Sequence, residues 1–233
     1  MTYVISNPHG SYTQFVRLLE VINFSKDDVM FVLGDIVDYG SEPMDLLCDL
    51  SFRENIWAIS GEHDRCAYRM LKGFDDMLKN GGTPDANYIS EMTEWMATGG
   101  KSTLDTFRTL DNEMRDGVLE YLEELPAYEL MTAGGKEWLL VHSGIDGYDP
   151  DTDFEDYDPD AFSADECLRK IDGYTVVCGH IPTTENYSCD GKIYKGDGFV
   201  AIDCGAGRGG KLACFCLDNG EELLLDFDVL LII

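Results

Sequence analysis

Short apolar runs recur along this chain, and they end repeatedly at glycine, an acid or histidine. The first, over residues 3–6, reads as a strand. His9-Gly10-Ser11 then turns the chain into a helix in which Phe15, Leu18, Leu19 and Ile22 repeat at helical spacing, with Ser11 as its cap. The run at 31–34 is apolar at every position, as suits a strand covered on both faces. A helix around Met44–Phe52 and a strand over Ile56–Ser60 follow. Strand, helix, strand, helix, strand is the pattern of a mostly parallel sheet with helices on its faces, so an α/β fold is expected.

From about 65 to 125 the periodicity is helical. Pieces at Tyr88–Met96 and Leu104–Leu110 are broken by Gly81-Gly82-Thr83-Pro84 and Thr98-Gly99-Gly100, which predicts a helical insertion over the sheet. Gly100-Lys101-Ser102 has the look of a phosphate-binding loop's end. Trp95 stands where that loop's first glycine belongs, and a helix precedes it instead of a strand, so a nucleotide loop is excluded. Strands return at Tyr128–Thr132 and Trp138–His142 around an Ala133-Gly134-Gly135-Lys136 turn, then at Thr175–Cys178, Phe199–Cys204, Lys211–Leu217 and Glu222–Phe227. These predict a second, more antiparallel sheet. No linker, repeat or low-complexity stretch divides residues 1–233, so one domain is expected.

Charge narrows the class of partner. The chain has 45 acids against 17 bases, a net charge of -28. Such a surface repels nucleic-acid polymers and anionic membranes. Residues 146–160 hold eight acids in fifteen positions. Asp149, Asp151 and Asp153 imitate the start of a calcium loop, but Phe154 sits where that loop needs glycine, so a solvated loop is expected. The eight cysteines form no Cys-x-x-Cys pair, and Met1–Ser6 has neither the basic start nor the apolar length of a secretory leader. Residues 223–233 are too short and too acidic a run to span a bilayer. Reduced thiols and a cytoplasmic location are the expectation.

The candidate chemistry lies where the runs stop. Phe31-Val32-Leu33-Gly34-Asp35-Ile36-Val37-Asp38 ends a strand at a glycine and two carboxylates, at the sheet edge where open α/β proteins keep their sites. The four histidines sit at comparable breaks: Asn7-Pro8-His9-Gly10, Gly61-Glu62-His63-Asp64, Val141-His142-Ser143-Gly144 and Gly179-His180. Imidazole and carboxylate converging from several loops form a ligand set for divalent transition metals such as manganese, iron or zinc.

In order along the chain, these motifs resemble the calcineurin-like metallophosphoesterases, and more narrowly their bacterial phosphoprotein phosphatase and symmetrical diadenosine tetraphosphatase branch. The matching stretches are His9-Gly10, Gly34-Asp35-Ile36-Val37-Asp38, Gly61 with His63-Asp64, His142 with Gly144, and Gly179-His180. Trp95–Leu104, Leu125–Tyr128, Ile202-Asp203-Cys204-Gly205-Ala206 and Gly209-Gly210-Lys211-Leu212 match further segments of the branch. The resemblance implies a four-layer sandwich of two mixed sheets flanked by helices. It implies hydrolysis of phosphate esters, on a phosphoprotein, a dinucleoside polyphosphate or a small molecule, by a hydroxide bridging two divalent ions, manganese first with iron or zinc as alternatives. Asn7, His9 and Asp35 would hold one ion, and Asp35, Glu62, His142 and His180 the other. His63, oriented by Asp38, would be the general acid. Three positions depart from the family pattern: Asn7 for aspartate, Glu62 for asparagine, and Tyr39 for a phosphate-gripping arginine. Arg65 and Arg208 are the candidate replacements for that arginine. The rival expectation is a catalytically impaired relative that keeps the fold and acts as a binding or regulatory protein.

Overall fold

The computed structural model describes residues 1–164, 171–186 and 189–226. Phe227, the last residue of the final expected strand, lies outside them. Strand β1 (Thr2–Ile5) leads through helix α1 (Tyr12–Val21) to β2 (Val29–Leu33), and α2 (Pro43–Phe52) leads on to β3 (Ile56–Ile59). The three strands pair in parallel, with Val4 beside Phe31 and Leu33 beside Ile59. Ser11 stands at the start of α1, but its hydroxyl accepts no bond from the helix, so it is not the expected side-chain cap.

The helical region starts earlier than the periodicity implied. Helix α3 (Glu62–Asn80) begins directly at the end of β3, so the Glu62-His63-Asp64 motif is its first turn and not a loop before it. Helices α4 (Ala86–Trp95), α5 (Lys101–Phe107) and α6 (Asn112–Glu124) follow, with Asp85 and Asp111 capping α4 and α6 through their side chains. A buried Arg115–Asp75 pair, Nε to Oδ1 at 2.8 Å, ties α6 to α3. Met70 and Leu71 of α3, Trp95, Phe107, Val118 and Leu122 join Leu46 and Leu50 of α2 in one core with Ile5, Met30 and Val32 on the first sheet's helix side.

The second sheet is built from β4 (Tyr128–Ala133), β5 (Lys136–Val141), β6 (Thr175–Cys178), a short β7 (Tyr194–Lys195) and β8 (Phe199–Ala201), in the order β4-β5-β6-β8-β7. The expectation that the last two strands complete this sheet is corrected. β9 (Lys211–Cys216) and β10 (Glu222–Asp226) add to the first, which runs β10-β9-β1-β2-β3. The reason is β9's apolar character on both faces. Leu212 and Cys214 join the helix-side core, while Ala213 and Phe215 face the space between the sheets, so the strand fits an interior slot beside β1. Both sheets are therefore mixed to the same degree, with neither more antiparallel.

Alternation sorts the remaining side chains between layers. Val4, Phe31, Leu33, Trp138, Leu140, Val177 and Val200 fill the gap between the sheets. Leu139, Val141, Val176 and Phe199 face outward and are covered by Ile145, Phe162 and Ile171. Phe162 stacks on Tyr128 at 4.9 Å, and Phe154 packs on the same ring at 5.5 Å. The acidic 146–160 segment is thus more than a solvated loop. Its carboxylates point to water while its aromatic residues form part of the outer layer, in single helical turns at Phe154–Asp156 and Pro159–Ser163. No helix among the described residues is long and apolar enough to cross a membrane.

Candidate metal centre

The parallel strands of both sheets release their chains at one common edge. β1, β2 and β3 supply Asn7 and His9, Asp35 and Asp38, and the first turn of α3, while β5, β6 and β8 supply His142, His180 and Asp203. The chain must turn sharply there, and it does so through left-handed backbone. Asn7 (φ 51°), His9 (45°), Asp35 (51°), Asp38 (71°), Tyr39 (58°) and His180 (65°) all have positive φ. Asparagine, aspartate and histidine adopt this region more readily than most side chains, but tyrosine does not, and a strained residue of that kind costs about 1–3 kcal/mol. Gly34 admits the rest: a Cβ there would lie 2.5 Å from the Gly61 nitrogen and 2.9 Å from His142 Nδ1.

Asp35 is the point of convergence. His142 Nε2 lies 3.4 Å from its Oδ1 and His9 Nε2 lies 3.7 Å from its Oδ2. Each ring is aimed by its other nitrogen, His142 Nδ1 on the Leu33 carbonyl (2.8 Å) and His9 Nδ1 on the Val37 carbonyl (2.9 Å). His180 Nδ1 sits 3.2 Å from His142 Nε2. Ligand atoms of Asp35, His142 and His180 all lie within 4.8 Å of one another. Burial pushes the His142 pKa down to about 4, with His180 helping and Asp35 opposing, and burial lowers that of His9 as well. Burial also works against charge on Asp35, but His142, His9, His63 and the His63 N–H overcome it and hold the carboxyl well below the usual range. The set is therefore neutral imidazoles around an ionised carboxylate, the protonation state a divalent cation needs, and the residues fit such an ion.

Asn7 spans the cluster. Its Nδ2 donates to Asp35 Oδ2 at 2.9 Å, and its Oδ1 accepts the His180 N–H at 2.9 Å. The amide thus joins the β1 and β6 loops to Asp35, with one oxygen lone pair left over. Glu62 stands exposed at the rim of the same pocket, outside the close Asp35–His142–His180 group.

A second cluster orients His63. Its N–H donates to Asp35 Oδ1 at 3.0 Å, and its Nδ1 lies 2.7 Å from Asp38 Oδ2. Asp38 is fully buried and held from the helical region. Trp95 Nε1 donates to Oδ2 at 2.9 Å, Thr103 Oγ1 donates to Oδ1 at 2.7 Å, and the Asp38 N–H returns to Thr103 Oγ1 at 2.9 Å. Burial works against charge on His63, but the Asp38 hydrogen bond and the charges of Asp35, Asp38 and Asp64 raise its pKa to about 9.

The two candidate arginines have different surroundings. Arg65 pairs with Asp160 at 2.9 Å, binding the acidic segment to α3, and it does not line the pocket. Arg208 does line it, along with His9, Asp35, Tyr39, Glu62, His63 and His180, around a cavity of about 110 Å³. Trp95, Thr103, Asp64 and Asp203 stand out in the sequence only as members of the matching segments, which is the one signal that points to them. Asp64 knits the Asp35 loop to α3 by accepting the Ile36, Val37 and Gly61 N–H groups. Asp203, another pocket residue, is pushed up to about 7 by burial, against the Gly205 N–H and with Asp35.

The comparisons agree with this architecture. The family model of the calcineurin-like phosphoesterases matches residues 2–202. Among solved structures, one described as a candidate diadenosine tetraphosphatase aligns at TM-score 0.63 and 15% identity, over 97% of this chain and 92% of that one. A protein serine/threonine phosphatase from Saccharomyces cerevisiae aligns at 0.54 and 14%, over 97% and 79%. A metallophosphoesterase from Sphaerobacter thermophilus aligns at 0.51 and 19%, over 97% and 87%. At these identities the likeness is one of fold.

The His63 environment is directly measurable by NMR titration of the metal-free protein. Its imidazole is expected to titrate near about 9, and in Asp38→Asn near or below the ordinary 6.5 or so. A folded-state value above the unfolded one adds stability at low pH that is lost as pH rises through about 9, and Asp38→Asn should lack that loss. An ordinary midpoint in the unaltered protein would contradict the arrangement.

Proposed function

Because the chain belongs to the calcineurin-like phosphoesterase family, we propose that its centre binds two divalent ions, manganese first with iron or zinc as alternatives, and hydrolyses phosphate esters of a phosphoprotein or small molecule, dinucleoside polyphosphates included. The observation that carries this reading is the Asp35 carboxylate, flanked by His142 on one oxygen and His9 on the other, with both imidazoles pre-aimed by main-chain carbonyls. Asp35, His142 and His180, with Glu62 at the rim, would hold one ion, and Asp35, His9 and Asn7 the other. Such ions supply Lewis acidity, lowering the pKa of water and offsetting charge on phosphoryl oxygens.

The chain's own groups do the rest. His63 lies beside the pocket with its pKa raised by Asp38 and the neighbouring carboxylates, so it can give an Nε2 proton to the departing ester oxygen while Asp38 fixes the ring through Nδ1. Trp95 and Thr103 keep Asp38 from turning away. This support for a leaving-group acid has no use in a protein that only binds, which weighs against the impaired-relative reading. Arg208 is the cation available to a phosphoryl group, while the Arg65–Asp160 pair weighs against a role for Arg65.

With added manganese, aryl and alkyl phosphates should both be hydrolysed. His63→Asn should keep its metal and slow alkyl esters by about 10²–10⁴, with activated aryl esters slowed far less. The acid form exists below its pKa, so the alkaline limb on alkyl esters, at or below about 9, should vanish in this variant. Equal losses on both ester types would remove His63 from the role.

The two halves of the donor set are unequal, since one has three close charged or imidazole donors and the other leans on an amide already engaged at both ends. Calorimetric titration with manganese should therefore show two steps, with catalysis appearing at the weaker one. Asn7→Asp brings a carboxylate against Asp35, so it should lower the thermal stability of the metal-free protein and tighten the weaker step. A single shared affinity, or an unchanged titration in that variant, would show the asymmetry to be absent.

A further inference from the structure

The pocket over the centre has two unlike walls. One is the Tyr39 ring, edge-on to His9 at 5.0 Å and to His63 at 5.2 Å. Its position is fixed from behind, because the Tyr39 N–H donates to the Gly99 carbonyl at 3.0 Å and the ring rests where Gly99 has no side chain. A Cβ at Gly99 would lie 2.9 Å from the ring. Despite this support the residue is 40% exposed and lines the cavity, so an aromatic surface is held open beside His63.

The other wall is Arg208, in the turn Ala206–Arg208. It is the only lysine or arginine among the described residues lining the pocket, against three carboxylates, Asp35, Glu62 and Asp203. Its partner is Glu185 at 2.7 Å, with both side chains more than half exposed, a pair that a phosphoryl oxygen can displace readily. A single phosphoryl group finds one cation here in addition to any bound metal. A chain of phosphates would place its further charges beside Glu62, Asp203 and the Tyr39 ring, and no second basic residue among the described residues lines the pocket to meet them.

From these two walls we propose that the site is selective for phosphate monoesters of aromatic alcohols, with Tyr39 packing against the ring of the leaving group and Arg208 taking a phosphoryl oxygen. This rests on the hydrolytic reading above and narrows it away from polyphosphates. The ring lies beside His63, so the group that accepts the His63 proton departs along the tyrosine face. The P–O bond to the aryl oxygen breaks, and its electron pair leaves on that oxygen, which takes the His63 proton and becomes a phenol. Water supplies the new oxygen on phosphorus. One of its protons stays on the phosphate and the other restores His63, so no oxidant or second reactant is needed.

The test uses the manganese-loaded protein and two non-hydrolysable probes, benzylphosphonate and methylphosphonate, by calorimetry. An aromatic contact of about 1.4 kcal/mol corresponds to a factor of ten, so benzylphosphonate should bind roughly tenfold more tightly than methylphosphonate. Tyr39→Phe should keep that preference and Tyr39→Ala should abolish it. Arg208→Gln should weaken both probes to a similar extent. In turnover, the ratio of kcat/KM for phosphotyrosine over phosphoserine should fall about tenfold in Tyr39→Ala and in Tyr39→Arg. Turnover of ADP should rise relative to phosphotyrosine in Tyr39→Arg. Equal binding of the two probes by the unaltered protein, or a ratio that Tyr39→Ala leaves unchanged, overturns this proposal while leaving the phosphoesterase intact. If no ester is hydrolysed and neither probe binds, the hydrolytic reading and this proposal fall together.

Discussion

Asp35 is almost wholly buried, and an ionised carboxylate removed from water costs several kcal/mol unless other groups replace the lost solvation. Here the replacements come from three separate chain segments: the Asn7 amide and the His9 ring after β1, the His63 N–H after β3, and the His142 ring after β5. The amide and the main-chain donor satisfy one lone pair on each oxygen. The remaining directions face imidazole nitrogens that burial keeps neutral, which gives the cluster an excess of negative charge to be met by a cation. Much of the fold serves this arrangement. Parallel pairing within each sheet brings the strand ends level, and the strained left-handed turns after them direct the donors back over the edge.

The helical region has a specific part in this. Trp95 and Thr103 reach Asp38 from positions 57 and 65 residues along the chain, so the helices act as a brace for the carboxylate that aims His63. Tyr39 belongs to the same brace, because its backbone is tied to Gly99 in the turn between α4 and α5. One segment therefore supports both the His63 imidazole and the aromatic wall beside it. Arg208 comes from the turn that joins β8 of the second sheet to β9 of the first, outside the helical region.

The edge itself was legible in the sequence, because an apolar run stopping at Gly34-Asp35 and histidines at other strand ends are local signals. The positions of β9 and β10 were not. A strand apolar on both faces fits any interior slot, and only pairing with β1 shows which sheet it joins. Likewise, the charge of residues 146–160 hid the aromatic residues that cover β4 and β5. Contacts between distant segments were equally beyond local pattern. Nothing near Arg65 in the chain announces Asp160 as its partner, and nothing near Asn7 announces that both ends of its amide are used. Ser11 shows the converse, since a good capping residue at a helix start makes no cap when the preceding left-handed turn sets the entering backbone.

The central claim is that Asp35 joins two cation sites, and metal stoichiometry in an Asp35→Asn variant tests it most directly. Metal-free protein would be loaded with manganese, freed of excess and measured by elemental analysis, with circular dichroism to confirm that the variant is folded. The unaltered protein should retain close to two equivalents and Asp35→Asn only a small fraction of one. A folded Asp35→Asn protein that retains the full complement would contradict the account, since the shared carboxylate would then hold neither ion.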